Sequence, residues 1–218
     1  MSWARARSQS QKAARREEIL EAAQSLFSEL AYEEISLNGI AREAGISKAN
    51  IYRYFSTREE IFLVIYEAEQ IVFVRALINR LQQMASVDNV SEMTQVWVET
   101  LLQHETLLNL IPQLSISMER NSSVEQLIKF KKQGYTTYQE LLESLVSVFP
   151  RLNQQQWIMV IQCTYSMIAG LWPLSNPSEN LLEALRHPEV NQPPWEFEST
   201  MTYGLSALIH GAIAINNE

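Results

Sequence analysis

Cysteine, histidine and glycine are scarce in this 218-residue chain. A single cysteine, Cys163, excludes an intrachain disulfide and fits a reducing, cytoplasmic setting. The three histidines, His104, His187 and His210, stand far apart, with no His-x-x-x-His pair to hold a metal. With six glycines in all, there is no glycine-rich phosphate loop and no nucleophile elbow. Cys163 sits in an apolar helical stretch, which suits a core position better than a reactive one. No catalytic residue, metal or cofactor is therefore expected, and an enzyme is not. No stretch keeps period-two alternation, so no sheet is expected. The start is basic but no apolar signal core follows it.

Net positive charge is lacking too, and a formal charge of −8 looks wrong for a nucleic-acid binder. The charge is unevenly divided. Through Arg58 there are nine Lys/Arg against seven Asp/Glu, and beyond it eight against eighteen. Arg5, Arg7, Lys12, Arg15 and Arg16 all precede the first acid, Glu17. Phosphate contacts depend on local cations, so binding to DNA is confined to one end. On charge alone, a disordered basic tail reads equally well.

What is present is helical periodicity. Ile19, Leu20, Ala23, Leu26 and Phe27 form one stripe of a helix over 17–30. Ser36 is placed to cap a short helix ending at Ala44, and Ser47 another ending near Phe55, with Gly45 as the turn. Thr57-Arg58-Glu59-Glu60 has capping-box spacing and starts a fourth helix running to about Met84. Further helices are expected over 91–110, 122–149, 154–171 and 195–215, with a short one over 179–186. Pro150 and Pro173 are read as stops. The uncharged run from Leu152 to Ser178 has the length of a membrane span. Its polar start and its interior Gln162, Thr164 and Ser166 are costly in lipid, so no membrane segment is expected.

The segment from Ser36 to Phe55 carries the functional signal. Leu37, Ile40, Ala41 and Ala44 make one apolar face, and Ile46, Ile51 and Phe55 lock a following helix onto it. Lys48, Asn50, Arg53 and Tyr54 are left pointing outward. A helix with that donor set suits the major groove, with its N-terminal amides toward phosphate.

Ile19 to Phe27, Ile40 to Ser47, Ile51 to Phe55 and Arg58 to Ile61 together resemble the N-terminal module of the TetR/AcrR repressor family. The likeness covers roughly residues 15–65. It implies DNA contacts residue by residue. Ser36 and Ser47 would cap their helices and touch phosphate. Tyr52 and Tyr54 match backbone-contacting aromatics, and Arg58 a phosphate-contacting cation. Lys48, Ala49, Asn50 and Arg53 are the candidates for base contact. Arg5, Arg7, Lys12 and Arg15 form an arm able to reach phosphate or minor groove. Tyr52 also suits packing against the first helix, and Lys48 and Arg53 also suit plain solvated charge. Two positions depart from the family pattern or weaken a helix. Ala31 stands where many members have glycine, and Gly39 lies inside the second helix; each costs about 1 kcal/mol if the backbone there demands otherwise.

The rest of the chain reads as a helical body. Trp97, Leu101 and His104 share one helical face. They join Met118, Tyr135, Tyr138 and Met167 as candidates to line a cavity for an apolar or aromatic effector, although the same residues suit an ordinary core. Trp157, Ile161, Tyr165 and Ile168 on one apolar helix, and Met201, Leu205, Leu208 and Ala212 on the last, are the candidates for a homodimer interface.

The expected architecture is all-α: a basic arm over 1–16, a helix-turn-helix domain over 17–58, and a ligand-binding and dimerisation bundle over 59–218. The expected function is a cytoplasmic, ligand-responsive regulator, most simply a repressor. It would bind a palindromic double-stranded operator as a homodimer, and an unknown small effector would release it. Two other readings stay open on the residues alone. One is an architectural DNA binder of the same fold without a ligand. The other is an interaction protein whose basic arm meets an acidic partner.

Overall fold

A computed structural model describes residues 2–84 and 89–215, with the side chains of 2–9 left aside. The described residues are helical and contain no strand. Ten α-helices follow in order. They are α1 (Ser2–Glu29), α2 (Leu37–Glu43), α3 (Lys48–Ile51), α4 (Arg58–Gln82), α5 (Val90–Leu102), α6 (Glu105–Gln113), α7 (Val124–Val148), α8 (Gln154–Ser175), α9 (Glu179–Arg186) and α10 (Phe197–Ile215). A 3-10 turn, Tyr32–Glu34, lies between α1 and α2, and a π-turn, Leu114–Met118, between α6 and α7.

The chain divides into two compact units. One is Met1–Ile65 with Ser115–Phe130; the other is Tyr66–Leu114 with Lys131–Glu218. The division falls inside α4 and α7, not at residue 58. The first unit therefore takes in the first turns of α4 and a segment far along the chain. Nor is 1–16 a separate arm, because its described backbone is continuous with α1.

In the first unit, Ile19, Ala22 and Ala23 of α1 are buried with Ile40 and Ala41 of α2, Ile51 of α3, and Phe55. Phe27, Tyr32 and Phe62 form an aromatic cluster, with Tyr32 and Phe62 centroids 5.0 Å apart and Phe27 and Phe62 5.3 Å apart. The Tyr32 hydroxyl lies 3.3 Å from the Ser117 hydroxyl. Glu60 ties this unit together. Its carboxylate accepts from Ser56 N (2.9 Å) and Ser123 N (3.3 Å), while its own N–H donates to Thr57 Oγ1 at 3.2 Å. The start of α4 and the residue before α7 thus share one buried acceptor.

In the second unit α10 packs on α8 and α5, and α6 packs on α8. Leu77, Met93, Trp97, Leu145, Trp157 and Leu205 are among the most deeply buried residues. Trp157 meets the Phe149 ring edge-on at 6.0 Å and donates Nε1–H to the Phe149 carbonyl at 3.4 Å. Trp172 donates to Asn109 Oδ1 at 2.7 Å.

In the second unit two helix boundaries differ from expectation, besides the earlier start of α1 and the end of α3 at Ile51. The single helix over 91–110 is two, because Gln103 and His104 close i→i−3 bonds onto Thr100 and Leu101, and His104 leaves helical geometry at φ −119°, ψ 59°. α8 continues through Pro173 to Ser175. A proline in the last turn removes one hydrogen bond, and Asn176 N still reaches Trp172 O at 3.0 Å. Among the described residues α8 alone is long and apolar enough to cross a membrane.

Candidate nucleic-acid interface and effector cavity

The turn between α2 and α3 is a Schellman motif. Gly45 takes φ +65°, Ile46 N–H reaches Ala41 O at 2.9 Å, and Gly45 N–H reaches Arg42 O at 3.1 Å. Both helices start on serine caps. Ser36 Oγ accepts from Gly39 N at 3.0 Å, and Ser47 Oγ from Asn50 N at 3.3 Å. A Cβ on Gly39 would sit 3.3 Å from Ser36 Oγ, so this glycine gives the cap room. Ala31 has ordinary extended backbone at φ −63°, ψ 148°, and the loop needs no left-handed residue.

This frame holds α3 rigidly by Ile51 and Phe55 and leaves its other side open. Lys48, Ala49, Tyr52 and Arg53 are exposed; Asn50 and Tyr54 are half-buried. Tyr52 is 52% exposed, so it does not pack into the core of the chain. Of the arm residues, Lys12 is exposed and Arg15 pairs with Glu18 on the surface of α1. The side chains of Arg5 and Arg7 lie outside the described residues. Arg16 lies over the Phe55 ring at 4.9 Å, a cation–π contact that ties α1 to the end of the turn after α3.

Arg58 is otherwise engaged. Its Nη1 donates to the Tyr32 carbonyl at 2.7 Å, to the Glu33 carbonyl at 3.3 Å and to the Ile35 carbonyl. Nε donates to Glu59 Oε1 at 3.0 Å, and the guanidinium stacks over the Tyr32 ring at 4.7 Å. The expected phosphate contact is corrected on this point, because the cation's donors gather the carbonyls of the 3-10 turn.

The second unit holds a partly open cavity of about 90 Å³. α4 supplies Tyr66, Gln70, Phe73 and Val74; α5 supplies Trp97 and Leu101; Tyr138 of α7 and Thr164 of α8 lie among the rest. Burial pushes the Tyr138 phenol up, so its hydroxyl is present as a neutral donor. Of the expected residues, Trp97, Leu101 and Tyr138 line this cavity, and four others lie elsewhere. His104 stands at the start of α6, where its ring meets Phe73 edge-on at 5.6 Å. Met118 is buried in the first unit. Tyr135 is 66% exposed on α7. Met167 lies against Gly204, where a Cβ would collide with its terminal methyl.

The expected dimer residues also need correction. Trp157, Ile168, Met201 and Leu205 are buried inside the chain's own core. Ile161, Tyr165 and Ile168 line the cavity. Leu208 and Ala212 are half-buried. The open side of α8 carries instead Met159, Gln162, Cys163, Ser166 and Gly170, and that of α10 carries Tyr203, Ala207, His210 and Gly211. The α8 set recurs at i, i+3, i+4, i+7, i+11 and the α10 set at i, i+4, i+7, i+8, and neither contains Asp, Glu, Lys or Arg.

Sequence reasoning missed the α4 contribution, although Tyr66, Gln70, Phe73 and Val74 recur at i, i+4, i+7, i+8. It also missed Glu60 as a shared cap, for which only the capping-box spacing gave a sign.

Residues 19–65 match the family described as bacterial regulatory proteins, tetR family, and residues 67–216 match the tetracyclin repressor-like C-terminal domain. The chain belongs to the TetR family. It is a DNA-binding transcriptional regulator built on an N-terminal helix-turn-helix, not an enzyme. TetR-family structures share its fold. A TetR transcriptional regulator from Rhodococcus sp. RHA1 is 17% identical, with 91% of this chain and 97% of that one covered at a TM-score of 0.54. The fatty acid degradation regulator FadR from Bacillus halodurans is 15% identical, with 88% and 94% covered at 0.53. The uncharacterized HTH-type transcriptional regulator YfiR of Bacillus subtilis (strain 168) is 40% identical over 53 residues, 24% of this chain. The chain matches 26% of that relative's length.

Proposed function

We propose that this TetR-family protein is a cytoplasmic, homodimeric repressor that binds a palindromic operator and is released by a small effector in its second unit. The observation that carries the proposal is the open side of α3. Lys48 and Asn50 of α3, with Arg53 in the turn just after it, offer donors of the kind that read base edges, on a segment anchored by Ile51 and started by Ser47. Tyr52, Tyr54, Ser36 and Lys12 are assigned to phosphate.

The uncharged exposed stripes of α8 and α10 are assigned to the dimer, as a four-helix interface across a twofold axis. Polar groups such as Gln162, Ser166 and His210 suit a protein interface and oppose burial in lipid. α4 is assigned to signalling. It begins at Arg58, beneath Tyr32, and its later turns supply four residues to the cavity. An effector that prefers one position of α4 shifts the spacing of the two α3 helices, and duplex DNA tolerates one spacing of half-sites.

Selection of bound duplexes from a random pool, followed by footprinting, tests this reading. Two inverted half-sites one or more helical turns apart are expected. Enrichment of a single unpaired site, or of none, refutes the dimeric operator.

A further inference from the structure

The chemistry of the cavity defines what it accepts; this step rests on the effector reading above. Among the described residues no Asp, Glu, Lys, Arg or His lines it. His104 meets the lining residue Phe73 edge-on but is not itself among the lining residues. An ion brought into such a site loses its hydration and meets no counter-charge.

Thr164 gives the second observation. It is 2% exposed, lines the cavity from α8, and its hydroxyl has no hydrogen-bond partner among the described residues. Buried hydroxyls in folded proteins are nearly always paired, so an unpaired one on a residue of the cavity wall is a place for an occupant to bond. Size is the third. A cavity of about 90 Å³ falls below the roughly 150 Å³ that takes a benzene ring and well below the roughly 300 Å³ at which drug-sized ligands begin. α4 supplies four residues to the walls of that space.

We infer that the site takes an uncharged ligand of no more than about one ring, anchored by a hydrogen bond to the Thr164 hydroxyl. The aromatic walls Phe73, Trp97 and Tyr138 hold its apolar body. Thr164 is a specificity-determining residue, since it separates a hydroxylated ring from a plain one.

Calorimetric titration of the full-length protein with phenol, toluene, benzoate and benzylammonium tests this directly. Phenol is expected to bind more tightly than toluene, and the two ions not to bind measurably. Thr164→Val, which keeps the volume and removes the hydroxyl, is expected to weaken phenol by about tenfold and leave toluene unchanged. Thr164→Ser, which restores the hydroxyl, is expected to recover the preference and guards against a folding artefact in the valine variant. Absence of saturable phenol binding, equal binding of either ion, or an unaltered phenol affinity in Thr164→Val overturns the inference. The readout contains no DNA. Thr164-dependent phenol binding with unchanged operator affinity would sink the effector reading and leave the anchor standing. Operator release by a charged compound, with phenol not binding, would do the reverse.

Discussion

Tyr32 sits where three interactions meet: an aromatic cluster, the Ser117 hydroxyl and the Arg58 guanidinium. Burial pushes its phenol up to about 12. A raised acid holds its proton more tightly in the folded state than in the unfolded one, where it titrates near 10. The stability it contributes is complete below pH 10 and is lost as the pH rises toward 12. Tyr32→Phe should therefore flatten the fall in stability between pH 10 and 12, as followed by denaturant midpoint. Gly45 makes a different prediction. A Cβ there meets nothing within 4 Å, so Gly45→Ala is opposed by the positive φ alone. The expected cost is about 1–2 kcal/mol, a melting temperature lower by roughly 2–4 °C per kcal/mol. Gly45 was legible from sequence because one residue type answers one backbone need. The role of Arg58 was not. Sequence places a cation at the head of a helix, and only the fold brings the carbonyls of Tyr32, Glu33 and Ile35 beneath it.

Helices were legible where their signals are local. The serine caps of α2 and α3, the Gly45 turn and the span of α9 follow from residues within a few positions of one another. The break between α5 and α6 carries no glycine or proline. It arises where His104 turns out of helical geometry, and nothing in the local pattern marks it. Faces were harder than spans. α8 and α10 are apolar on nearly all sides, so hydropathy does not separate the stripe that packs inward, Trp157, Ile168, Met201 and Leu205, from the stripe left open. The cation at the start of α3 makes that element testable. Lys48→Ala removes one positive charge per protomer from the side proposed to face DNA. The slope of log affinity against log salt should fall by about 1 per half-site, so by about 2 for a dimer on a full operator. An unchanged slope would place Lys48 away from the phosphates.

For the molecule as a whole, division of labour follows the charge. The acidic excess lies beyond Arg58, while the cations of α1 and α3 belong to the DNA-facing unit. In the proposed dimer, two modest half-site contacts act as one and so set the affinity. Tyr203 is 79% exposed on the open side of α10, so Tyr203→Glu should leave the fold intact while placing a charge on the proposed twofold face. Sedimentation should show dimer converting to monomer, with operator affinity falling alongside; a dimer as stable as the wild type would assign the interface to another surface.

The central claim is that the open side of α3 reads duplex DNA. Its most direct test compares the wild type with Lys48→Ala, Asn50→Ala and Arg53→Ala combined, by fluorescence anisotropy on the selected operator and on an unrelated duplex of equal length. The three side chains belong to α3 and the turn after it, whose buried anchors Ile51 and Phe55 are untouched, so melting temperatures should agree. The wild type should prefer the operator by at least about a thousandfold, and the triple variant should bind both duplexes alike and weakly. A triple variant that keeps the operator preference would contradict the account.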